Sequence, residues 1–581
     1  HGPGVTMSAL LSPIKDVRSE RRLFLSRVIL AAVISLLLLS FVIVRLVQLQ
    51  VVDHELFAEK SQGNRVRIEP VPPIRGLVFD RKGRVIAENL PAYQLELIPE
   101  QVSDIDDTLN RLAALNLIEF EDIPRIKELS RSGPRFKPVT LKFRLTDEEI
   151  ASFAIQRPRF PGVDFRPRLV RHYPDGELIS HAVGYVGALS TDDLKRLDPA
   201  AYAGTSHTGK TGVESSFESD LHGDAGYRHL IANARGRQVP SDTSELLDSL
   251  PFDETPMPGS NVYLSIDLDL QRIATQALEG RRGALVAIDP QNGEILALVS
   301  APAFDPNLFA VGMSTAQYRE LSENPDRPLF NRAVRGAYPP GSTIKPMLAL
   351  AALEKNATNL TRKTVCHGYF QLPNDDHRYR DWKPEGHGPV DLHDAIAQSC
   401  DVYFYEISGD IGIDTMHDYL TRFGLGLETG VDIGGESSGL VPSREWKRNN
   451  FSDRDNQRWY HGETVIVSIG QGYMLATPLQ LASAAAALAT RGKRYRPHMI
   501  AAVEDALTGE RRMVQPERLP DVEISNDFYW ENVLGAMHDV MQGPRGTARA
   551  VGFGAPYEMA GKSGTAQVVS IAQDEKYDDA E

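Results

Sequence analysis

Between Val28 and Val44 the chain carries no charged residue and is rich in Leu, Ile and Val. Extended to Leu23 and Leu49, with Arg27 and Arg45 snorkelling, the stretch is long enough to cross about 30 Å of hydrocarbon as a helix. A run of this kind constrains everything after it, because the remaining chain must lie on one side of a membrane. Lys15, Arg18, Arg21, Arg22 and Arg27 precede or open the run. The positive-inside rule therefore places the N-terminus in the cytoplasm and the bulk of the chain outside it. A cleaved signal peptide is the competing reading, but Val44-Arg45-Leu46-Val47-Gln48 offers no small-x-small cleavage site. His1–Thr6 reads as an expression remnant ahead of a native start at Met7.

At 581 residues the chain has room for two or three domains. A net charge of −15 argues against nucleic acid as a partner of the whole chain, and two cysteines rule out a disulfide-dense scaffold. The expected organisation is a tag remnant and cytoplasmic tail over 1–22, a transmembrane helix over 23–49, an irregular β-rich region over 50–245 and a larger domain over 260–581. Within the second region, Gly76–Asp80 and Tyr93–Leu97 read as strands, Asp80-Arg81-Lys82-Gly83 as a hairpin turn, and 101–155 as charged helices. Gly209-Lys210-Thr211 lacks the upstream glycine and the strand that a phosphate-binding loop needs, so that reading is discounted. Residues 240–259 read as a linker. Beyond it come a strand at Val262–Ile266, a helix at Leu270–Leu278 and a hairpin, Ala284–Ile288 and Ile295–Val299, joined through Gln291-Asn292-Gly293. Leu479–Thr490 is an Ala-rich buried helix, and Tyr557–Val569 reads as a glycine-bearing strand.

The chemistry concentrates at Tyr338-Pro339-Pro340-Gly341-Ser342-Thr343-Ile344-Lys345-Pro346, ahead of an apolar helix at Met347–Leu353. If Ser342 opens that helix, Lys345 lies on the same face. A hydroxyl beside an amine is the pairing an activated nucleophile needs. Pro346 is tolerated only in a first turn, which supports this start. Taken alone, the motif is equally a capping serine followed by a solvated lysine.

Ser342-x-x-Lys345, Ser399-Cys400-Asp401 and Lys562-Ser563-Gly564 follow in order, with spacings of about 55 and about 160 residues, and together they resemble the triple signature of the penicilloyl-serine acyltransferases. Arg75-Gly76-x-x-x-Asp80-Arg81-x-Gly83, Gly184-Tyr185-Val186-Gly187, Gly212-Val213-Glu214 and Gly470-Gln471-Gly472-Tyr473 extend the likeness to class B penicillin-binding proteins, specifically their elongation-specific D,D-transpeptidase branch. The resemblance implies an α+β multidomain fold: a transmembrane helix, a pedestal of the non-penicillin-binding dimerisation type, and a β-lactamase-like transpeptidase domain with helices around an antiparallel sheet. It also implies two further strands and a helix after the Lys-Ser-Gly strand. The sequence ends at Glu581, so the expected sheet is incomplete.

The same resemblance assigns roles. Ser342 would be the nucleophile and Ser399 the proton relay to the leaving amine. Lys345 can act as base only when neutral, a state favoured by burial and by a second cation at Lys562. Lys562, Ser563, Gly564 and Thr565 would bind the substrate's terminal carboxylate, with the N–H groups of Ser342 and Thr565 as oxyanion hole. Asp401 stands where the family usually has Asn, which keeps an acceptor, loses an amide donor and adds charge at an expected substrate contact. Implied partners are D-Ala-D-Ala stem peptides, β-lactams, a SEDS-family glycan polymerase (RodA-like) and elongation-complex scaffold proteins, at a bacterial inner membrane. The rival functions are a serine β-lactamase or β-lactam sensor, and a non-catalytic activator of the polymerase.

Cys366 and Cys400 leave three readings open: a disulfide, free thiols, or a structural zinc site completed by Asp381 and His387. His367, His377 and His393 are competing ligands that read more simply as surface histidines.

Overall fold

A computed structural model describes residues 17–52, 66–132, 135–231, 253–278 and 280–565. The chain forms two compact units, one of residues 1–69 with 227–254 and one of residues 70–226 with 255–581. In the first, the helix Val17–Val47 runs into a π-helical turn at Gln48–Val52, and the 32 residues Arg21–Val52 are long and apolar enough to cross a membrane. The same unit holds a bridge between Tyr227 and Glu254. Residues 1–16 and most of the predicted 240–259 linker lie outside the described residues.

The second unit is built on a seven-stranded sheet. Its strands run in the order Arg511–Met513, Ile500–Glu504, Asn261–Leu264, Val78–Phe79, Val85–Leu97 and Val139–Lys142, with Val163–His172 also laid against Val85–Leu97. The sheet passes through the position near residue 260 at which the sequence reading divides the chain: Val262 pairs in parallel with Val78 and in antiparallel with Val503. The turn at Asp80–Gly83 is closed by Gly83 N donating to the Asp80 carbonyl at 3.0 Å. The Asp80 carboxylate accepts from the N–H groups of Lys82 and Arg84, each at 2.8 Å.

Helices Ile105–Ala114, Ile123–Ser132 and Asp147–Gln156 cover one end of this sheet. Asp104 caps the first, and a Thr146–Glu149 capping box opens the third. Leu109, Leu112, Ile126 and Phe153 bury their side chains against Leu95 and Leu97. The discounted loop at Gly209-Lys210-Thr211 is structural: Gly209 N donates to Glu218 at 2.8 Å, and Lys210 pairs with Asp193.

Three pedestal segments converge on one carboxylate. Glu214 accepts from Arg171 Nε and Arg75 Nε at 2.7 Å each and from the Tyr173 hydroxyl at 3.2 Å. That hydroxyl in turn accepts from Val186 N at 2.9 Å. Burial pushes the Glu214 carboxyl up, but Arg171 and Arg75 outweigh it and hold the group below its ordinary range.

The part of the chain after residue 340 has its own core around the helices Lys345–Glu354, Asp401–Ile411, Ile413–Arg422 and Asp527–Gln542. The predicted hairpin forms over Gly283–Ile288 and Ile295–Ala301, and the Ala-rich helix over Pro478–Ala489. Three local expectations are corrected. Ser342 does not open the α-helix; it sits in a 3₁₀ turn, Gly341–Ile344, which leads into it. Residues 557–565 do not form a strand, because no described strand offers them a ladder partner; 566–569 lie outside the described residues. Predicted strand Gly76–Asp80 is shortened to Val78–Phe79.

Because Arg171 and Glu214 are both almost without solvent exposure, Glu214→Gln strands a buried guanidinium. The expected loss is about 3–5 kcal/mol, read as a lower denaturation midpoint. A variant within about 0.5 kcal/mol of the parent, the range of a surface substitution, would show the network to be dispensable.

Candidate active site

Gly341 adopts φ +57°, and a Cβ there would run into the Thr565 main chain. Both facts demand glycine. Gly341 N donates to the Gly470 carbonyl at 2.9 Å, and Thr343 Oγ1 to the Pro340 carbonyl at 2.7 Å, which fixes the turn from two sides. In a 3₁₀ turn residues i and i+3 eclipse, so Lys345 stacks over Ser342 more directly than an α-helix would place it. Pro346 falls in the first turn of the helix, and Lys345–Leu353 are all buried.

The Lys345 amine has no solvent exposure. It donates to Asp401 Oδ1 at 2.7 Å and to the Ser399 carbonyl at 2.9 Å. The expected Lys345–Ser342 hydrogen bond is not formed among the described residues; a carboxylate outcompetes a hydroxyl for the amine. Asp401 Oδ2 accepts from Trp382 N at 3.2 Å. Each Asp401 oxygen thus has one protein partner, and the carboxylate keeps accepting capacity for a further one. Trp382 was not singled out by the sequence reading, since its part is played by a main-chain N–H.

Ser399 is a non-glycine residue at φ +57°. Its carbonyl is held by Lys345, and its hydroxyl accepts from Lys562 Nζ at 2.8 Å. Lys562 also donates to the Ser563 carbonyl at 2.8 Å. Burial, then the nearby charge of Lys345, lowers the Lys562 amine to about 7, against a smaller raising effect of Asp401.

The 562–565 segment abuts the serine turn. A Cβ on Gly564 would lie 2.7 Å from Thr343 Cγ2 and 3.1 Å from the Pro340 carbonyl oxygen. Gln471 Nε2 donates to the Thr565 carbonyl at 2.8 Å, which gives the Gly470–Tyr473 motif a place in the site. Thr547, which no sequence signal marked beyond a Gly-Pro turn nearby, brings its hydroxyl within 2.7 Å of Ser563 Oγ.

Beside Ser399 lies a second cluster. Cys366 Sγ is 3.5 Å from Asp381 Oδ2 and 3.5 Å from His387 Nδ1, and Cys400 Sγ is 3.4 Å from Asp381 Oδ2. One ligand atom from each of the four residues falls within 4.8 Å of all the others. Both thiols are free, so they are not joined as a disulfide. Burial pushes both thiols up, the Cys400 thiol far above its ordinary range with the Asp381 charge adding to the effect. A tetrahedral zinc with bonds of about 2.0–2.3 Å has ligand–ligand edges of about 3.3–3.8 Å, and the contacts of 3.4 and 3.5 Å above fall within that range. Asp381 Oδ2 also accepts from the N–H groups of Asp401 and Val402, at 2.8 and 3.1 Å. It thereby caps the helix that follows Ser399. His367 is exposed and His393 pairs with Asp539 at 2.9 Å, both outside the cluster.

Residues 283–581 match the family described as the penicillin binding protein transpeptidase domain, and residues 70–264 the penicillin-binding protein dimerisation domain. The chain is 41% identical to the peptidoglycan D,D-transpeptidase MrdA of Acinetobacter baumannii over 572 residues, covering 98% of this chain and 82% of that protein. Among solved structures, Pseudomonas aeruginosa PBP2 in complex with WCK 5153 superposes with a TM-score of 0.65 at 40% identity, covering 86% of each chain. PBP2 of Helicobacter pylori in complex with MreC superposes with a TM-score of 0.71 at 29% identity, covering 87% of this chain and 90% of that one. In this chain three distant patches meet at one serine turn, and with both family models matched and these identities the chain belongs to the class B penicillin-binding proteins, in the PBP2 branch of peptidoglycan D,D-transpeptidases.

Proposed function

We propose that Ser342 is the acylated residue of this transpeptidase and that the groups around it divide the proton and charge handling. The observation that carries the proposal is the double hold on Ser399, whose carbonyl binds Lys345 and whose hydroxyl binds Lys562. In the first half-reaction Ser342 Oγ bonds to the penultimate D-alanine carbonyl carbon, and its proton passes to Lys345, which accepts it only in the neutral form, after giving up its own proton. The C–N bond breaks, and the terminal D-alanine leaves with a proton delivered through Ser399. In the second, an amine of a neighbouring stem peptide attacks the ester carbonyl, forms the cross-link and returns the proton to Ser342. Lys562, Ser563 and Thr565 hold the terminal carboxylate, and the N–H groups of Ser342 and Thr565 receive the oxyanion. Asp401 positions Lys345.

Cys366, Asp381, His387 and Cys400 would hold a structural Zn²⁺, which supplies a cross-link that fixes the Ser399 turn. His387 presents Nδ1 to Cys366 Sγ and to Asp381, each at 3.5 Å, and imidazole, carboxylate and thiolate donors suit the ion. The apolar helix would anchor the chain in the inner membrane, with a cytoplasmic N-terminus and a periplasmic catalytic half. Family resemblance supports a SEDS-type (RodA-like) polymerase and an MreC-like scaffold as partners. The assembly of all three motifs around one turn favours this reading over a purely non-catalytic activator.

Mass spectrometry after exposure to a penicillin is expected to show one covalent adduct on a peptide containing Ser342, absent in Ser342→Ala. An adduct that persists in Ser342→Ala would remove the assignment.

Because Lys562 must be charged to capture a carboxylate and titrates near 7, its charged fraction falls as pH rises through that value. The second-order acylation rate is therefore expected to decline from about pH 6 to about pH 9, with the decline lost in Lys562→Arg. A flat profile in the parent protein would exclude this role for the charge.

Purified protein should carry about one equivalent of zinc, and chelation should lower the melting temperature and expose two titratable thiols. Protein with neither metal nor titratable thiols would hand the site to a disulfide.

A further inference from the structure

The turn after helix Asp527–Gln542 is built to hold one hydroxyl in place. Gly543 N donates to the Asp539 carbonyl at 3.0 Å, and Ala548 N to the Val540 carbonyl at 3.0 Å. Gly546 lies so close to the Asp539 and Val540 carbonyls that a Cβ has no room. Arg545 pairs with Asp394 at 2.5 Å, and Thr547 N donates to the Ala397 carbonyl at 3.3 Å. Thr547 is thus fastened to the helix Leu392–Ala397, whose end leads into Ser399. Its exposed side chain makes one hydrogen bond, to Ser563 Oγ at 2.7 Å. Ser563 Oγ also receives Lys562 Nζ at 3.4 Å.

A hydroxyl oxygen has two lone pairs and one proton. The Thr547–Ser563 contact can run in either direction; with Thr547 as its donor and Lys562 donating as well, the Ser563 oxygen has no accepting capacity left, and its own proton points elsewhere. We propose that Thr547 is a positioning residue for substrate recognition: it fills the second lone pair of Ser563 and so commits that hydroxyl to donate to the ligand's carboxylate. A carboxylate only accepts hydrogen bonds. A serine free to rotate would offer it lone pairs as often as its proton. The inference rests on the reading of Lys562 and Ser563 as the carboxylate site.

The test compares acylation of Ser342 by benzylpenicillin and by its methyl ester, which lacks the charge. Thr547→Val keeps the shape and removes the hydroxyl; Thr547→Ser keeps the hydroxyl. With benzylpenicillin, Thr547→Val is expected to acylate roughly tenfold more slowly at subsaturating concentration, the scale of one hydrogen bond to a charged group. The loss should fall on half-saturation and leave the limiting rate unchanged. Thr547→Ser should remain within about twofold of the parent, and the ester should discriminate little between the variants. In a Ser563→Ala background the Thr547→Val effect should vanish, as it must for a residue acting through Ser563. Equal losses for acid and ester, or full additivity with Ser563→Ala, would overturn the proposal. If Ser563→Ala slows the acid and Thr547→Val does not, Thr547 alone is excluded. If neither variant affects the acid, the carboxylate reading of Ser563 falls as well. Unchanged melting temperatures, with Thr547→Ala as a second truncation, separate these outcomes from misfolding.

Discussion

The catalytic half of this protein depends on a primary amine placed where no water reaches it. Burying Lys345 is costly unless acceptors meet it, and two do: the Asp401 carboxylate and the Ser399 carbonyl. The amine therefore dictates the path of the chain at 399–401. With its carbonyl held, Ser399 takes a left-handed conformation that a side chain rarely adopts. Its hydroxyl then faces Lys562. One buried amine thus joins the serine turn, the middle motif and the Lys-Ser-Gly segment.

The acceptors are themselves secured from behind. Asp381 receives the N–H groups of Asp401 and Val402, and its carboxylate stays ionised because hydrogen bonds from His387 and from the main chain outweigh the penalty of burial. Around this polar centre the helix Lys345–Glu354 is buried on all sides, as expected of a core helix. Lys345 enters that core at the first turn, where the helix axis meets the site. The close packing of Ile344, Met347 and Leu348 leaves the amine little freedom to choose other partners.

What could be read from the residues followed the range of the interactions. The Ser342–Lys345 relation is local and visible in spacing, and so are the hairpin at 283–301 and the Asp80 turn. The contact of Lys562 with Ser399 spans 163 positions and was reachable only through family likeness. Thr547 was invisible, because a single hydroxyl–hydroxyl contact leaves no periodicity and no spacing. The tie of Asp401 to Lys345 was not legible: a carboxylate suits a substrate amide as well as a lysine, and only the fold shows the lysine beside it. The 557–565 segment has a strand-like composition without a strand, since β-structure needs a neighbour to pair with.

The sheet that links Asn261–Leu264 to Val78–Phe79 has a mechanical meaning. In the same sheet Asn261–Leu264 also pairs with Ile500–Glu504, so the two portions of chain recognised as separate families are stitched by main-chain hydrogen bonds at that ladder, and parting them would require tearing it open. A force applied to the pedestal is carried as torque into the strand whose end, at Ser265, bonds to the carbonyls of Ile295 and Met499. The two matched portions thus share one sheet, and neither can shift at that ladder without straining the other.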